Sequence, residues 1–522
     1  MAVTASAAGT EGACGAPVAT RSARGLLVPA LSCSSAPGLI ATAAGTGGFG
    51  FNGDGIAANG ASLAYPAGVA VDGQGNAFVA DLWNHRIRKI AAGTGVISTV
   101  AGTGAQGLDP DGTPAISSRL NQPWGVAVDG AGNVFIADQM NQRVCRVDGV
   151  TGLLTTVAGT GVPGYNADGI AASTAQLYDP AGVAVDGAGD VFIADLNNHR
   201  VRRVDAGTGL ISTVAGDGTG GYNGDGIAAT AAEVNGPTGV AVGAAGDLFV
   251  ADQSNHRVRR VDAGTGVITT LAGTGSGGFG GDGGAATAAQ LTFPASVAVN
   301  GHGDVLIADK GNQRVRRVAA GSGVIETLAG TGDSGYNGDG IAAPLAFLFD
   351  PAGVAFDAAC RLYVADQQNN RIRRVDPGGL LAASVGAEQL PAVVGRWFRV
   401  TLTVTNTGWT AAANVTAGIW PQAGGAFVAV QGGPVPAGPV SLAPDAAATF
   451  TWTYSAAGVG TVTFGGSVTG SLGACGGDLL ESAGPTDVSI LPAPALDVAL
   501  DADASPVVAG QWIRIALTAT NS

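Results

Sequence analysis

No run of about 18 apolar residues occurs in this chain, so the sequence offers no helix long and apolar enough to cross a bilayer. Charge is scarce as well. Asp, Glu, Lys and Arg make up 12% of the 522 residues, and acids outnumber bases 39 to 25 for a formal charge of −14. A nucleic-acid or anionic-membrane partner demands a basic footprint, and none is gathered here. Of the 25 Lys and Arg, 17 lie in six short segments such as Arg200, Arg202 and Arg203, spread evenly along the chain. The five Cys form no C-x-x-C pair, which leaves no structural zinc motif. Cys145 and Cys360 read as drift within a repeat, while Cys14 and Cys33 could pair outside the cytosol. Residues 1–20 lack the basic segment followed by an apolar block that marks a signal peptide. Helical periodicity is also missing, and 87 Gly suit short strands and tight turns better than helices.

What is present is repetition. Asp81, Asp138, Asp195, Asp252, Asp309 and Asp366 each open a segment A-D-x-x-N-x-R, at a constant interval of 57 residues. Asp54, Asp111, Asp168, Asp225, Asp282 and Asp339, each followed by Gly, keep the same step. So do Pro66, Pro123, Pro180, Pro237, Pro294 and Pro351. Three anchors without an insertion mean equal units in equal surroundings. In the third copy, Gly182–Asp186, Val191–Asp195, Arg200–Asp205 and Leu210–Ala215 are short runs rich in Val, Ile and Thr, separated by Gly-rich turns. They predict a four-stranded antiparallel meander. Six meanders can stack openly or close radially, and closure protects the sheet edges. The reading is an all-β chain opening with a six-bladed β-propeller over 38–378.

The motifs G-V-A-V-D-G-x-G-N/D, V-F-I-A-D and N-H-R-V-R-R-V, seen at Asn198-His199-Arg200 and Asn255-His256-Arg257, resemble the NHL repeat family. About 20 residues of the form G-Y-N-G-D-G-I-A-A-x-x-A-x-L lengthen each unit beyond a plain NHL repeat. The resemblance implies a propeller that binds through its loop face. Some six-bladed relatives are lyases or lactone hydrolases that hold a divalent metal in the channel. Animal members bind RNA, which the charge balance here disfavours.

Gly38–Ala43 matches a last strand but precedes the first full repeat, so it is expected to complete the sixth blade. Residues 1–37 are expected to be poorly ordered. From about 381 the pattern becomes strict alternation, as in Val400–Asn406, Phe450–Tyr454 and Gly460–Phe464. That is a β-sandwich signature, similar to the tandem Ig-like repeats of bacterial surface proteins. One copy occupies 379–495. Residues 381–407 parallel 496–522, making 496–522 the start of a second copy and the natural protein longer than this chain.

Candidate chemistry gathers on one rim, where the N-G-D-G loops and the A-D-x-x-N-x-R turns meet. Carboxylate pairs such as Asp225 with Asp252 and Asp168 with Asp195 invite a calcium reading. An EF-hand-type loop, however, would find Gly221 and Ala232 at its first and twelfth positions. Turn chemistry explains these residues better. His85, His199 and His256 are replaced by Gln142, Gln313 and Asn370 in sister copies, which argues against a general base. His302 sits in a Gly-His-Gly turn on the opposite rim. The repeated Arg86, Arg143, Arg200, Arg257, Arg314 and Arg371 are expected to pair with an Asp or with carbonyls. Positions that vary while their surroundings repeat are more telling. Tyr65, Asn121, Trp124, Asp179, Asn235, Phe293 and Asp350 flank the repeated Pro beside the central channel and form a candidate ligand site. Asp179, Asn235 and Asp350 are the weak metal candidates. The sequence therefore favours an exported or cell-surface protein that binds a protein or glycan. A metal-dependent lyase or lactone and ester hydrolase, or a purely structural stalk, are the rivals.

Overall fold

The protein is described by a computed structural model covering residues 38–376, except His302 and Ala359, and strand segments between Leu381 and Asn521. Two compact units result, one of which comprises Pro37–Pro377. It holds six antiparallel sheets, five of them each built from one copy of the repeat and the sixth from the last copy together with an N-terminal strand. The first runs from an inner strand, Pro66–Val71, through Ala77–Asp81 and Arg86–Ile90 to Val96–Ala101. The other inner strands are Pro123–Val128, Pro180–Val185, Pro237–Val242, Pro294–Val299 and Pro351–Phe356.

Five of the six sheets carry a fifth strand that the sequence reading did not foresee. It is two residues long, as in Ile56–Ala57, which pairs with Val96 and Ile97 at the outer edge. The added segment before each inner strand is thus part of the sheet, not a free connection. In the fifth sheet Gly284 stands where four of its sisters have Ile, and the strand is missing. Gly brings no side chain to pack and loses more entropy in a strand than Ile.

The same segment also seals one sheet to its neighbour. Gly45 and Thr46 N–H donate to Ala58 and Ala61 carbonyls, a pattern repeated at Gly102 and Thr103 and at Gly159 and Thr160. Leu63, Leu120, Leu177, Val234, Leu291 and Leu348 close the segment and are completely buried. Full burial of each such side chain contributes about 1.5–3 kcal/mol. Leu63 packs among Ala365 and Ile372 of the sixth sheet and Val69 and Val79 of the first.

Each inner strand lies against the next, and Pro351–Phe356 lies against Pro66–Val71. Gly makes this approach possible: a Cβ on Gly353 would fall 2.3 Å from the Ala67 carbonyl oxygen, and one on Gly68 2.7 Å from that of Trp124. The strand Leu39–Ala44 sits between Arg371–Val375 and Ile341–Ala342, pairing with both. The start of the array therefore supplies a strand to its last sheet.

Cys145 is a buried free thiol. Cys360, expected to be a drifted turn residue, is disulfide-bonded, with its partner outside the described residues. Cys14, Cys33 and His302 also lie outside them. The other unit contains Leu381–Glu388, Trp397–Asn406, Ala447–Ala456 and Val428–Val435 in one sheet. Phe450, Trp452 and Tyr454 are buried there and alternate with half-buried Thr451 and Thr453. Burial pushes the Tyr454 phenol up to about 12. Trp512–Asn521, expected to open a second copy, pairs with Phe464–Leu472 in a second sheet.

Candidate functional site

The site begins with a buried carboxylate. Asp81 ends the second strand; its Oδ1 accepts the Ala64 N–H at 2.7 Å and its Oδ2 accepts Asn84 Nδ2 at 2.8 Å. A single 3-10 turn, Leu82–Asn84, leads to His85 in the left-handed region at φ 50°. Burial pushes the Asp81 carboxyl up to about 6, against the pull of these hydrogen bonds and of Arg88. Asp195, Asp309 and Asp366 are raised to about 6 in the same way.

The residue after the turn joins each sheet to the next. His85 Nδ1 accepts the Gln122 N–H at 3.1 Å, and His199 and His256 accept from Gly236 and Phe293 at 3.1 Å. Gln142 and Gln313 do the same with Oε1 for Asp179 and Asp350, both at 2.6 Å. Asn370 Oδ1 accepts the Tyr65 N–H at 3.0 Å and completes the circuit from the sixth sheet to the first. His, Gln and Asn interchange because each presents an acceptor at the same reach. An imidazole accepting at Nδ1 is neutral, with its proton on Nε2. Burial, and secondarily the adjacent Arg, holds all three His below their ordinary value.

The receiving residues precede the repeated Pro, and Tyr65, Gln122, Asp179, Phe293 and Asp350 all have φ between 49° and 54°. Residues before Pro favour extended backbone, so each left-handed residue costs about 1–3 kcal/mol. The acceptor from the previous sheet and the Asp beneath hold it there. Four of the seven sequence candidates, Tyr65, Asp179, Phe293 and Asp350, occupy this column. Asn121 and Asn235 stand one residue earlier and donate their N–H to Asp138 and Asp252 at 2.7 Å. Trp124 follows the Pro on the inner strand of the second sheet.

A residue that the sequence reading passed over meets Trp124. Lys310 begins the turn of the fifth sheet, opposite the second, where sister copies carry Leu or Gln. Its Nζ lies 5.9 Å from the Trp124 ring centroid and donates to Gln367 Oε1 at 3.0 Å. Burial lowers its pKa, while Asp350 works against that. The signal was available in the aligned column, which is apolar or amide except at this one cation. All six inner strands line the channel, mostly with small side chains, and leave a cavity of about 90 Å³. That holds a few waters at roughly 30 Å³ each, so any larger ligand sits at the mouth.

The proposed metal ligands are engaged otherwise. Asp179 accepts Gln142 Nε2 at 2.9 Å and Asn197 Nδ2 at 2.6 Å. Asp350 accepts Gln313 and Gln368 Nε2, both at 3.4 Å. Among the described residues no three His, Cys, Asp or Glu stand close enough to hold a metal. The pair Asp225 and Asp252 does converge, but the fully buried Arg259 lies between them at 2.8 and 3.4 Å. Arg88, Arg202, Arg316 and Arg373 repeat this Asp–Arg–Asp arrangement. A guanidinium thus takes the place considered for calcium. The Arg two residues earlier donates to carbonyls: Arg86 reaches Asn84 at 3.0 Å and Thr103 at 2.6 Å. An aromatic ring covers both cations, Phe51 lying 3.9 and 4.7 Å from Arg86 and Arg88.

Around this buried frame the rim exposes aromatic side chains. Phe49 is 63% exposed, Phe293 48%, Trp83 44% and Tyr178 41%. Phe49 meets Tyr65 edge to face at 5.9 Å, and Phe293 leans on His256 at 4.6 Å. Trp83 and Asn197 N–H are bonded to the Ala64 and Tyr178 carbonyls, which ties the turns to the strand-entry column.

The NHL repeat family model matches residues 63–90, 120–146, 177–204, 234–261 and 291–318. Each match runs from the buried Leu or Val to the third strand. The Arabidopsis thaliana protein Suppressor of quenching 1, chloroplastic, is 29% identical over 271 residues, covering 49% of this chain and 25% of the relative. NHL repeat-containing protein 2 of Gallus gallus is 26% identical over 344 residues, covering 60% and 46%. The chain thus spans less than half the length of either relative. An auxiliary nutrient binding protein of Bacteroides thetaiotaomicron superposes with a TM-score of 0.48 at 16% identity, covering 65% of this chain and 76% of that one. Five of the six copies thus match the NHL repeat model, and the antiparallel sheets have the fold of an NHL-type propeller.

Proposed function

We propose that this chain is an exported or cell-surface binding protein. In this reading a six-bladed propeller captures a protein or glycan through its turn-bearing rim and is carried on Ig-like sandwich domains. The observation that carries it is the set of exposed aromatic rings, Phe49, Trp83, Tyr178 and Phe293, on positions the repeat leaves variable. Trp and Tyr dominate binding energetics where a rigid frame presents them; here Trp83 stands on the turn that follows buried Asp81, and the N–H groups of Tyr178 and of Thr292, beside Phe293, are held by buried Asp195 and Asp309. The disulfide at Cys360 supports an oxidising compartment. The acidic balance favours neither nucleic acid nor anionic lipid.

The test is capture by the full chain from a glycan array and from a panel of envelope proteins. Replacing Trp83, Tyr178 and Phe293 together with Ala should weaken any captured ligand by at least about tenfold, since each hot spot contributes on the order of 1–2 kcal/mol. The melting temperature should barely move. No capture across the panels, or equal capture by the triple variant, would sink this reading. The metal-dependent rival requires Asp179 and Asp350 to exchange amide donors for a cation. Chelator-sensitive turnover of lactones or esters that Asp179→Ala abolishes would favour it instead.

A further inference from the structure

The junction between the sixth and first sheets departs from its sisters on the rim opposite the A-D turns. At four of the other five junctions a Phe fills the gap: Phe78 packs with Val134, Phe135 with Val191, Phe192 with Leu248 and Phe249 with Val305. Here Tyr363 meets Ala77, where the sister sheets carry the larger Val or Leu. A cavity of about 330 Å³ opens between them, bounded by Arg361, Arg374, Tyr363, Ala77, Asn59 and Thr42 among others. That volume is at the small end of ligand sites.

The charge at this junction is reversed as well. In sheets three and four an acid two residues before the Phe pairs with the Arg across the strand: Asp190 with Arg203 at 2.7 Å, Asp247 with Arg260 at 2.6 Å. In the sixth sheet that acid is replaced by Arg361. Tyr363 pairs with Arg374 across the strands, and side chains two apart on a strand share a face. Arg361, Tyr363 and Arg374 are therefore presented together. Arg361 engages Asp357 through Nε at 2.5 Å, and Arg374 engages Asp376 through Nη2 at 2.9 Å. Both arginines line the cavity. The Arg374 Nε is buried without a hydrogen-bond partner among the described residues. Asn59 is likewise the amide in a column that is otherwise Ile, Ser, Thr, Thr and Pro.

We propose that this cavity is a binding site for a hydroxylated oxyanion of about monosaccharide size, its anionic group held by Arg361 and Arg374. A planar fork of N–H donors suits a carboxylate, sulfate or phosphate, and Tyr363, Asn59 and Thr42 offer partners for hydroxyl groups. The site is separate from the aromatic rim and does not depend on it.

Calorimetric titration of the full chain with glucuronate, glucose 6-sulfate and glucose 6-phosphate tests it and distinguishes the three anionic groups. Glucose and inorganic sulfate serve as controls. At least one sugar acid should bind more tightly than either control. Arg361→Asp installs the residue that sheets three to five carry, so it restores the sister ion pair and leaves the fold intact; binding should fall at least tenfold. Ala77→Leu, which narrows the cavity with the residue of sheet four, should also weaken it. Trp83→Ala should change nothing here, which keeps failure at the rim distinct from failure at this site. If no sugar acid binds, or Arg361→Asp binds as well as the parent, the site is wrong. If inorganic sulfate binds as tightly as the sugar acids, the cavity reads charge alone and the hydroxylated body is wrong.

Discussion

Three imidazoles and three amides perform one task in this protein, and pH separates them. His85, His199 and His256 are held neutral, their pKa values lowered first by burial. A folded value below the unfolded one, ~6.5, means that the associated stability is present above pH ~6.5 and is lost as pH falls through the folded value. The buried Asp carboxyls, raised to about 6, run the other way, losing stability as pH rises from ~4 through 6. Replacing all three His with Gln isolates the first effect, because the Asp contribution is common to both proteins. Thermal melts at pH 8, 6.5 and 5 should show the variant gaining on the parent only in the acid range. Parallel pH profiles would mean that the imidazoles do not act as acceptors. The interchange of His with Gln and Asn was legible in the sequence, and it excluded a general base. What each side chain bonds to was not, since the partner lies in another sheet, 37 residues away for the His and Gln and 305 for Asn370.

Each sheet carries one buried Arg clamped by two Asp, except the second. There Cys145 replaces the clamping Arg, and Arg143 swings inward to Asp138 at 3.0 Å. The ring that would cover the two cations is Leu108 in that copy. Cys145 is thus one part of a coordinated exchange, which its reading as simple drift did not capture. Arg202→Met should cost about 3–5 kcal/mol by leaving Asp195 buried and uncompensated, whereas Arg146→Met, whose side chain and Asp148 partner are both partly exposed, should cost less than about 1 kcal/mol. Urea denaturation compares them, and equal losses would show that the clamp contributes nothing special. In the second sheet, Cys145→Arg should destabilise by crowding Arg143, and adding Leu108→Tyr should recover part of that loss. A coupling of about 0.5–3 kcal/mol is expected for such neighbours; strict additivity would refute the exchange.

At the scale of the whole molecule, the array depends on a strand that precedes its first repeat. Ile40, fully buried, pairs with both Ile341 and Val375. Ile40→Ala should therefore cost as much as a core truncation, about 2–5 kcal/mol. The neighbouring Leu39, 54% exposed, should tolerate Ala within about 0.5 kcal/mol. Chemical denaturation of the two variants decides it: a mild Ile40→Ala would mean that the first strand is dispensable to the last sheet.

The sequence by itself determined the repeat, its four main strands and the pairing of the first strand with the last sheet, because equal spacing and alternating apolar residues are local properties. It also marked the columns around Pro66 and its equivalents where variation concentrates. Only the tertiary structure decided what those columns touch. The left-handed residues before Pro, the guanidinium between Asp225 and Asp252, the meeting of Lys310 with Trp124 and the cavity at Ala77 all arise between sheets. Chain segments tens to hundreds of residues apart meet there, and which side chain fills a gap or faces a charge depends on that packing, not on local pattern.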